Sequence, residues 1–217
     1  MLFHEYWEAQ PAVVRAVGAL TGIVAEREVR PVATKIVDLR EVIMEKCGDQ
    51  FLRKSVISIP GHAEVLDWVL SSGPPYARAL EIGTYRGIGA ACLAQYCEHV
   101  DTIDLIAGAF EARELTPSRE YFWWAMNVLD RIELHRVAGN KEKRAVIGAL
   151  DFDLAFIDGG KWDVAPDFAW AHHCGAVLFH DLTDGTAAVD RNHVFHLVKT
   201  LPQDEVFYLD GFALWTP

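Results

Sequence analysis

The chain has 217 residues, 51% of them apolar, and a formal net charge of −11 at pH 7. That length is long for one domain and short for two, and the acidic balance sets the surface against a phosphate backbone, which excludes nucleic acid as a partner. No apolar run is long enough to span a bilayer, and the first ten residues lack the basic and apolar regions of a signal peptide, so the expected setting is cytoplasmic, with no membrane partner.

The first 55 residues read differently from the rest. Val13, Val14, Val17 and Leu20, then Ile36, Leu39, Val42 and Ile43, give two amphipathic helical patterns around Pro31. We expect a helical N-terminal extension over 1–55 and a main domain over 56–217. The extension would pack on that domain or on a second copy, as a homo-oligomer contact.

From about residue 61 helical and strand patterns alternate. Val65, Leu66, Val69 and Leu70 predict a helix over 62–72, broken by Gly73-Pro74-Pro75. A strand over 79–82 is followed by a helix from Gly87 to Tyr96, and a strand from Val100 to Leu105. Thr116-Pro117 reads as an N-cap with Pro at the first helical position, opening a helix to Leu129. Ile132–Val137 is a strand, 141–150 a helix and Phe152–Ile157 a strand; a helix over 164–172, a strand over Ala176–Phe179 and a helix over 188–199 follow. This rhythm predicts βαβ units and a parallel sheet. The C-terminus departs from it: 205–209 and 212–215 are strand-like runs joined by Asp210-Gly211, a dipeptide suited to a two-residue hairpin turn.

The informative stretch is Ala79-Leu-Glu-Ile-Gly-Thr-Tyr-Arg-Gly-Ile-Gly-Ala-Ala91. It reads as strand, tight turn and helix start, with glycines that let the backbone approach a ligand at the carboxyl edge of a parallel sheet. The bland alternative is a turn whose glycines serve packing alone. Two ligand classes compete. Gly83-x-x-x-Gly87-Ile-Gly89 also fits short-chain NAD(P) oxidoreductases, whose proton transfer needs Tyr-x-x-x-Lys, yet none of the six tyrosines has Lys four residues later. Glu81 favours the other class. A carboxylate facing the loop repels a pyrophosphate and suits a ligand whose charged end is cationic.

On these residues the sequence resembles class I S-adenosylmethionine-dependent methyltransferases, and among them the small O-methyltransferase-like families with a Glu-Ile-Gly-Thr-Tyr-x-Gly opening. The resemblance covers about 57–217. It implies a Rossmann-like α/β fold with a seven-stranded, mostly parallel sheet ending in the antiparallel hairpin. It implies that Glu81, Gly83, Thr84, Tyr85 and Gly87 surround the methionine moiety of S-adenosylmethionine. Asp104, closing Thr-Ile-Asp-Leu, would hold the ribose hydroxyls, since a carboxylate accepts two at once. Asn140 stands where these families often carry Asp near the adenine, and Asp158 closes the fourth motif near the methyl group.

Asp158-Gly-Gly-Lys161 has the Asp-x-x-Lys spacing of metal-dependent catechol-type enzymes, in which the Asp ligates a divalent ion and the Lys is the base. Asp181 fits a second ligand, but Leu182 replaces the Asn expected beside it, so the set is incomplete: Asp158, Asp181 and His180. Oxygen-rich ligation of this kind suits Mg²⁺ or Ca²⁺, with Mg²⁺ the ion expected. Lys161, His180 and Asp158 are the candidate bases or orienting groups, in that order. His172-His173-Cys174 and His193-x-x-His196 lack the spacing of a tetrahedral zinc site, and the scattered Cys47, Cys92, Cys97 and Cys174 read as buried thiols. The aromatic run Tyr121-Phe-Trp-Trp124 reads as core. The reading is an S-adenosylmethionine-dependent methyltransferase (EC 2.1.1 class) acting on a small-molecule acceptor, most simply a hydroxyl. Its rival is a non-catalytic binding module of the same fold.

Overall fold

Arg78–Ile82 forms the central strand β1, and its near-continuous burial is what a parallel strand covered on both faces requires. A computed structural model of the chain describes residues 34–53, 55–106, 118–159, 163–182, 193–209 and 211–217. With β2 (His99–Leu105), β3 (Ile132–Val137), β4 (Leu154–Ile157), β5 (Ala176–Phe179), β6 (Val206–Leu209) and β7 (Phe212–Trp215), β1 builds a seven-stranded sheet in the order β3-β2-β1-β4-β5-β7-β6. Pairing is parallel throughout except where β7 meets β5 and β6. This is the Rossmann-like α/β sheet that the resemblance implies, with the parallel pairing and C-terminal antiparallel hairpin that the sequence patterns predict.

The chain runs outward through β1, β2 and β3, then returns to place β4 on the other side of β1. The carboxyl ends of β1 and β4 therefore flank the switch point, where open α/β sheets bind ligands. Helices α1 (Lys35–Cys47), α2 (Asp49–Leu52), α3 (His62–Ser72), α4 (Ile88–Leu93) and α5 (Arg119–Ala125) precede β3; α6 (Asn140–Ala149), α7 (Val164–Ala171) and α8 (His193–Thr200) follow it. Two apolar clusters form the layers. One joins Ile36, Leu66, Ile88 and Trp123 to Val100 and Phe156; the other joins Ile147, Ala171 and Val198 to Leu80, Ile103 and Val177.

Of the expected N-terminal helices, the second is α1, which buries Ile36, Leu39 and Ile43 in the first cluster. The first, carried by Val13 to Leu20, lies outside the described residues, as do Thr116-Pro117 and the start of the helix expected from 188. Ser118 caps α5, accepting a hydrogen bond from the Tyr121 N–H at 3.2 Å. That helix ends at Ala125, short of Leu129, because Asn127 takes φ +57° and the Asn127 and Val128 N–H groups turn back to the Trp124 and Trp123 carbonyls. This is the paired closure of a helix whose next residue is left-handed. Phe122 and Trp123 are core, as expected, but Tyr121 and Trp124 are exposed. Cys92, Cys97 and Cys174 are buried free thiols, and Cys47 is partly buried.

Asp67 joins two of the helices ahead of β1, α3 and α1. Thr34, at the N-cap of α1, makes no capping bond. Asp67 of α3 caps α1 in its place, accepting from the Ile36 and Val37 N–H groups at 2.8 and 3.0 Å and from the Tyr96 hydroxyl at 2.5 Å. Burial pushes its carboxyl above the ordinary range, against those hydrogen bonds. Asp67→Ala leaves three donors unanswered, and we expect a loss of at least about 1–3 kcal/mol, read as a lower urea midpoint. An unchanged midpoint would mean the tie carries no stability.

Candidate functional site

The β1–α4 turn is built around Glu81. Its position on β1 faces Thr102 of β2 across the parallel register. The Thr102 hydroxyl donates to Glu81 Oε2 at 2.5 Å, and its oxygen lies 2.7 Å from the Thr84 hydroxyl. With one proton per hydroxyl, the run is Thr84 to Thr102 to Glu81. Oε1 of Glu81 is buried and has no hydrogen-bond partner among the described residues. Burial pushes this carboxyl well above its usual range, against the Thr102 bond, and Asp158 and Asp104 raise it further.

Each glycine of the loop is crowded by the protein itself. Gly83 has φ +110°, and a Cβ there would meet the Asp158 carbonyl oxygen at 2.5 Å. Gly87 has φ +78° and lies under the Trp123 indole, whose Nε1 donates to the Gly87 carbonyl at 2.8 Å. A Cβ on Gly89 would run into Glu81 Oε1. The small residues thus let β1 and β4 end side by side and leave room for the carboxylate. Tyr85 completes the turn at φ +44°.

At the switch point lies a cavity of about 180 Å³ whose walls include Glu81, Gly83, Thr84, Tyr85, Asp158 and Asp181. Ligand pockets commonly enclose about 300–1,000 Å³, so this cavity is small for a whole drug-sized ligand. Asp158 and His180 follow the paired ends of β4 and β5. His180 Nδ1 lies 2.6 Å from Asp158 Oδ1, and its Nε2 is 3.2 Å from His62 Nδ1, which in turn lies 3.0 Å from the Val56 carbonyl. A carbonyl only accepts, so His62 Nδ1 carries a proton. His180 Nε2 then accepts, and His180 Nδ1 donates to Asp158. His180 is buried behind Asp158, its two ring nitrogens directed at Asp158 and His62. Burial raises the Asp158 carboxyl, the His180 hydrogen bond opposes this, and Asp181 adds to it.

Asp158, His180 and Asp181 offer ligand atoms within 4.8 Å of one another, so the two aspartates converge at this edge. Asp181 has φ +60°. Asp104, the last residue but one of β2, is in an ion pair with Arg119, Nη2 to Oδ2 2.5 Å. Asn140 is exposed at the start of α6, apart from the cavity walls. Lys161 lies outside the described residues. His172 and His173 turn their Nδ1 atoms to the Ala169 and Trp170 carbonyls at the end of α7, an end-of-helix role. Sequence reasoning did not find Thr102, Arg119, Trp123 or His62. Thr102 alone carried a signal: alternation along β2 puts it two residues before Asp104.

No protein-family model matches the chain, and no curated protein does. Solved structures do. An O-methyltransferase from Bacillus cereus in complex with SAH superposes with a TM-score of 0.59 at 17% identity, over 92% of this chain and 96% of that one. The O-methyltransferase TomG from Streptomyces achromogenes, in complex with SAM, gives 0.57 at 18% identity over 100% and 99%. The SAH-bound Podospora anserina methyltransferase PaMTH1 gives 0.53 at 14% identity over 88% and 100%. At these identities the likeness is one of fold: the chain has the Rossmann-like architecture of class I S-adenosylmethionine-dependent O-methyltransferases.

Proposed function

We propose that this protein transfers a methyl group from S-adenosylmethionine to a small-molecule acceptor, at a hydroxyl. One observation carries the reading: a buried carboxylate oxygen, Glu81 Oε1, has no hydrogen-bond partner among the described residues and belongs to a side chain in the cavity wall at the sheet's switch point. An ammonium group is the complement of such an oxygen. Glu81 would hold the amino group, the backbone of Gly83 to Tyr85 the rest of the methionine end, and Asp104 the ribose hydroxyls, with Arg119 sharing that carboxylate. Asn140 would lie toward the base.

When bound, S-adenosylmethionine supplies a methyl group on a positively charged sulfur. The chain's own residues orient the acceptor and take its proton. Of the three carboxylates in the wall, Asp158 would take that proton. His180 Nδ1 holds one of its oxygens, leaving the other to accept a proton, and burial raises its affinity for one. His180 is thereby a positioning residue for Asp158, and Lys161 remains a second proton acceptor in this proposal. Mg²⁺ would be held by Asp158 and Asp181. That donor set fits in part only, because Leu182 supplies no ligand and His180 Nδ1 is directed at Asp158.

Calorimetric titration tests the cofactor assignment. S-adenosylmethionine and S-adenosylhomocysteine should bind and NADH should not. Asp104→Ala should weaken binding by about 1.5–3 kcal/mol, the range for a hydrogen bond to a charged group. Binding of NADH in place of both adenosyl ligands would overturn the reading. Tight binding with no methyl transfer to any hydroxylated acceptor would favour the non-catalytic module.

A further inference from the structure

A second polar cluster lies on the same sheet, at the edge away from the cavity. It is written in the sequence as His99-Val-Asp101 and Glu133-Leu-His135. Side chains alternate along a strand, so His99 and Asp101 share one face of β2, and Glu133 and His135 one face of β3. The register pairs Asp101 with Glu133 directly. His99 opens β2 at its amino end, whereas the cavity lies at the carboxyl end of the neighbouring β1, so the two sites sit at opposite ends of the strands.

The cluster has the features of a metal site. A His99 ring nitrogen, an Asp101 oxygen and a Glu133 oxygen lie within 4.8 Å of one another. His99 Nε2 is a buried atom with no hydrogen-bond partner among the described residues. It stands 3.5 Å from Asp101 Oδ2. Two donors on one tetrahedral ion, each about 2.0–2.2 Å from it, lie roughly 3.3–3.6 Å apart. That is longer than a charge-assisted hydrogen bond and matches two ligands of one centre.

Asp101 is itself held as metal-bound carboxylates are. It is buried, its Oδ1 accepts from His135 Nε2 at 2.8 Å, and its Oδ2 accepts from Arg78 Nη2 at 3.0 Å. A carboxylate oxygen carries two lone pairs, so Oδ2 bound to Arg78 can still ligate. Despite burial, which alone would raise it, the Asp101 carboxyl is held below its ordinary range by the His135 and Arg78 hydrogen bonds. Glu133 is exposed and completes the set. Arg78 offsets one of the two carboxylate charges, leaving the pocket net negative when the histidines are neutral.

We propose that His99, Asp101 and Glu133 form a binding site for a divalent transition-metal ion of the zinc class, with a solvent-facing fourth position and with His135 and Arg78 holding the Asp101 carboxylate. Mixed imidazole and carboxylate ligation selects such ions over Mg²⁺ and Ca²⁺. The site is independent of the methyl-transfer reading.

Untagged full-length protein, stripped of metal by a chelator and exchanged into chelator-free buffer, is titrated with Co²⁺ as a visible probe and then with Zn²⁺. The expected result is the absorption of tetrahedral Co²⁺, saturating at one ion per chain and bleached by Zn²⁺. His99→Gln should abolish it, and His135→Gln should weaken Zn²⁺ binding by roughly 10–100-fold. Asp181→Asn, in the cavity cluster, should change neither. A wild-type protein without the tetrahedral spectrum overturns the proposal, leaving the cluster as an ion-pair tie between strands. So does a spectrum that survives His99→Gln or vanishes in Asp181→Asn. If His99→Gln fails to fold, Glu133→Gln, at an exposed side chain, gives the same test, and retention of the full spectrum there also overturns the proposal.

Discussion

Glu81→Gln is expected to weaken S-adenosylmethionine binding by roughly ten- to a hundredfold while making the ligand-free protein more stable at neutral pH. The first effect follows from removing the charge-assisted bond proposed between Glu81 and the ligand's ammonium, worth about 1.5–3 kcal/mol, which forms as the bound cation favours the ionised carboxylate and the Glu81 proton leaves to solvent. The second follows from proton linkage. Burial raises the Glu81 carboxyl well above its usual range, so the folded protein keeps a proton that the unfolded chain releases near pH 4.3. For a group whose pKa is raised on folding, the stabilising contribution is full below the unfolded value and is lost as pH rises from there toward the folded value. Gln has no such loss and still accepts from Thr102. The difference in melting temperature between the variant and the wild type should therefore be positive and should grow as pH climbs from about 4. Calorimetric titration and thermal melts across pH read both effects. A variant that binds as well as wild type would remove Glu81 from the cofactor site, and one that is less stable at every pH would contradict its buried, raised carboxyl.

Gly83→Ala is the second large effect, and it acts on the fold. At φ +110° an alanine is strained by about 1–3 kcal/mol. Its Cβ would also sit 2.5 Å from the Asp158 carbonyl oxygen and 2.7 Å from the Gly159 Cα, both backbone atoms that no rotamer change moves aside. Overpacking of that kind adds about 1–3 kcal/mol, so the sum is roughly 2–6 kcal/mol against a total stability of order 5–15 kcal/mol. The denaturant midpoint should fall accordingly, and the ligand affinity of the surviving folded protein should fall with it, because the alanine pushes on the strand end that carries Asp158. A midpoint within experimental error of wild type would mean that β1 and β4 do not end in this contact.

Local pattern was enough for most elements. Residues 62–72, 132–137 and 176–179 are helix, strand and strand with the bounds that periodicity predicts. Asp210-Gly211 marked the hairpin, and Gly211 takes φ +71° between paired Leu209 and Phe212, with Asp210 outside the described residues. Glu81, the loop after it, Asp158 and Asp181 were legible as a site because each follows or ends an apolar strand run, and parallel strands bring such ends to one edge. The tertiary structure decided what those residues face. The glycines suggested close approach of a ligand; the folded chain crowds them with the Asp158 backbone, the Trp123 indole and the Glu81 carboxylate. The cap that Asp67 gives α1 spans 31 positions, and the His180–His62 contact spans 118. Periodicity reports which face of one element is buried, over a few residues at a time. Which side chain from a distant element meets that face is set by strand order and by helix packing, and neither is written in any local stretch of this chain.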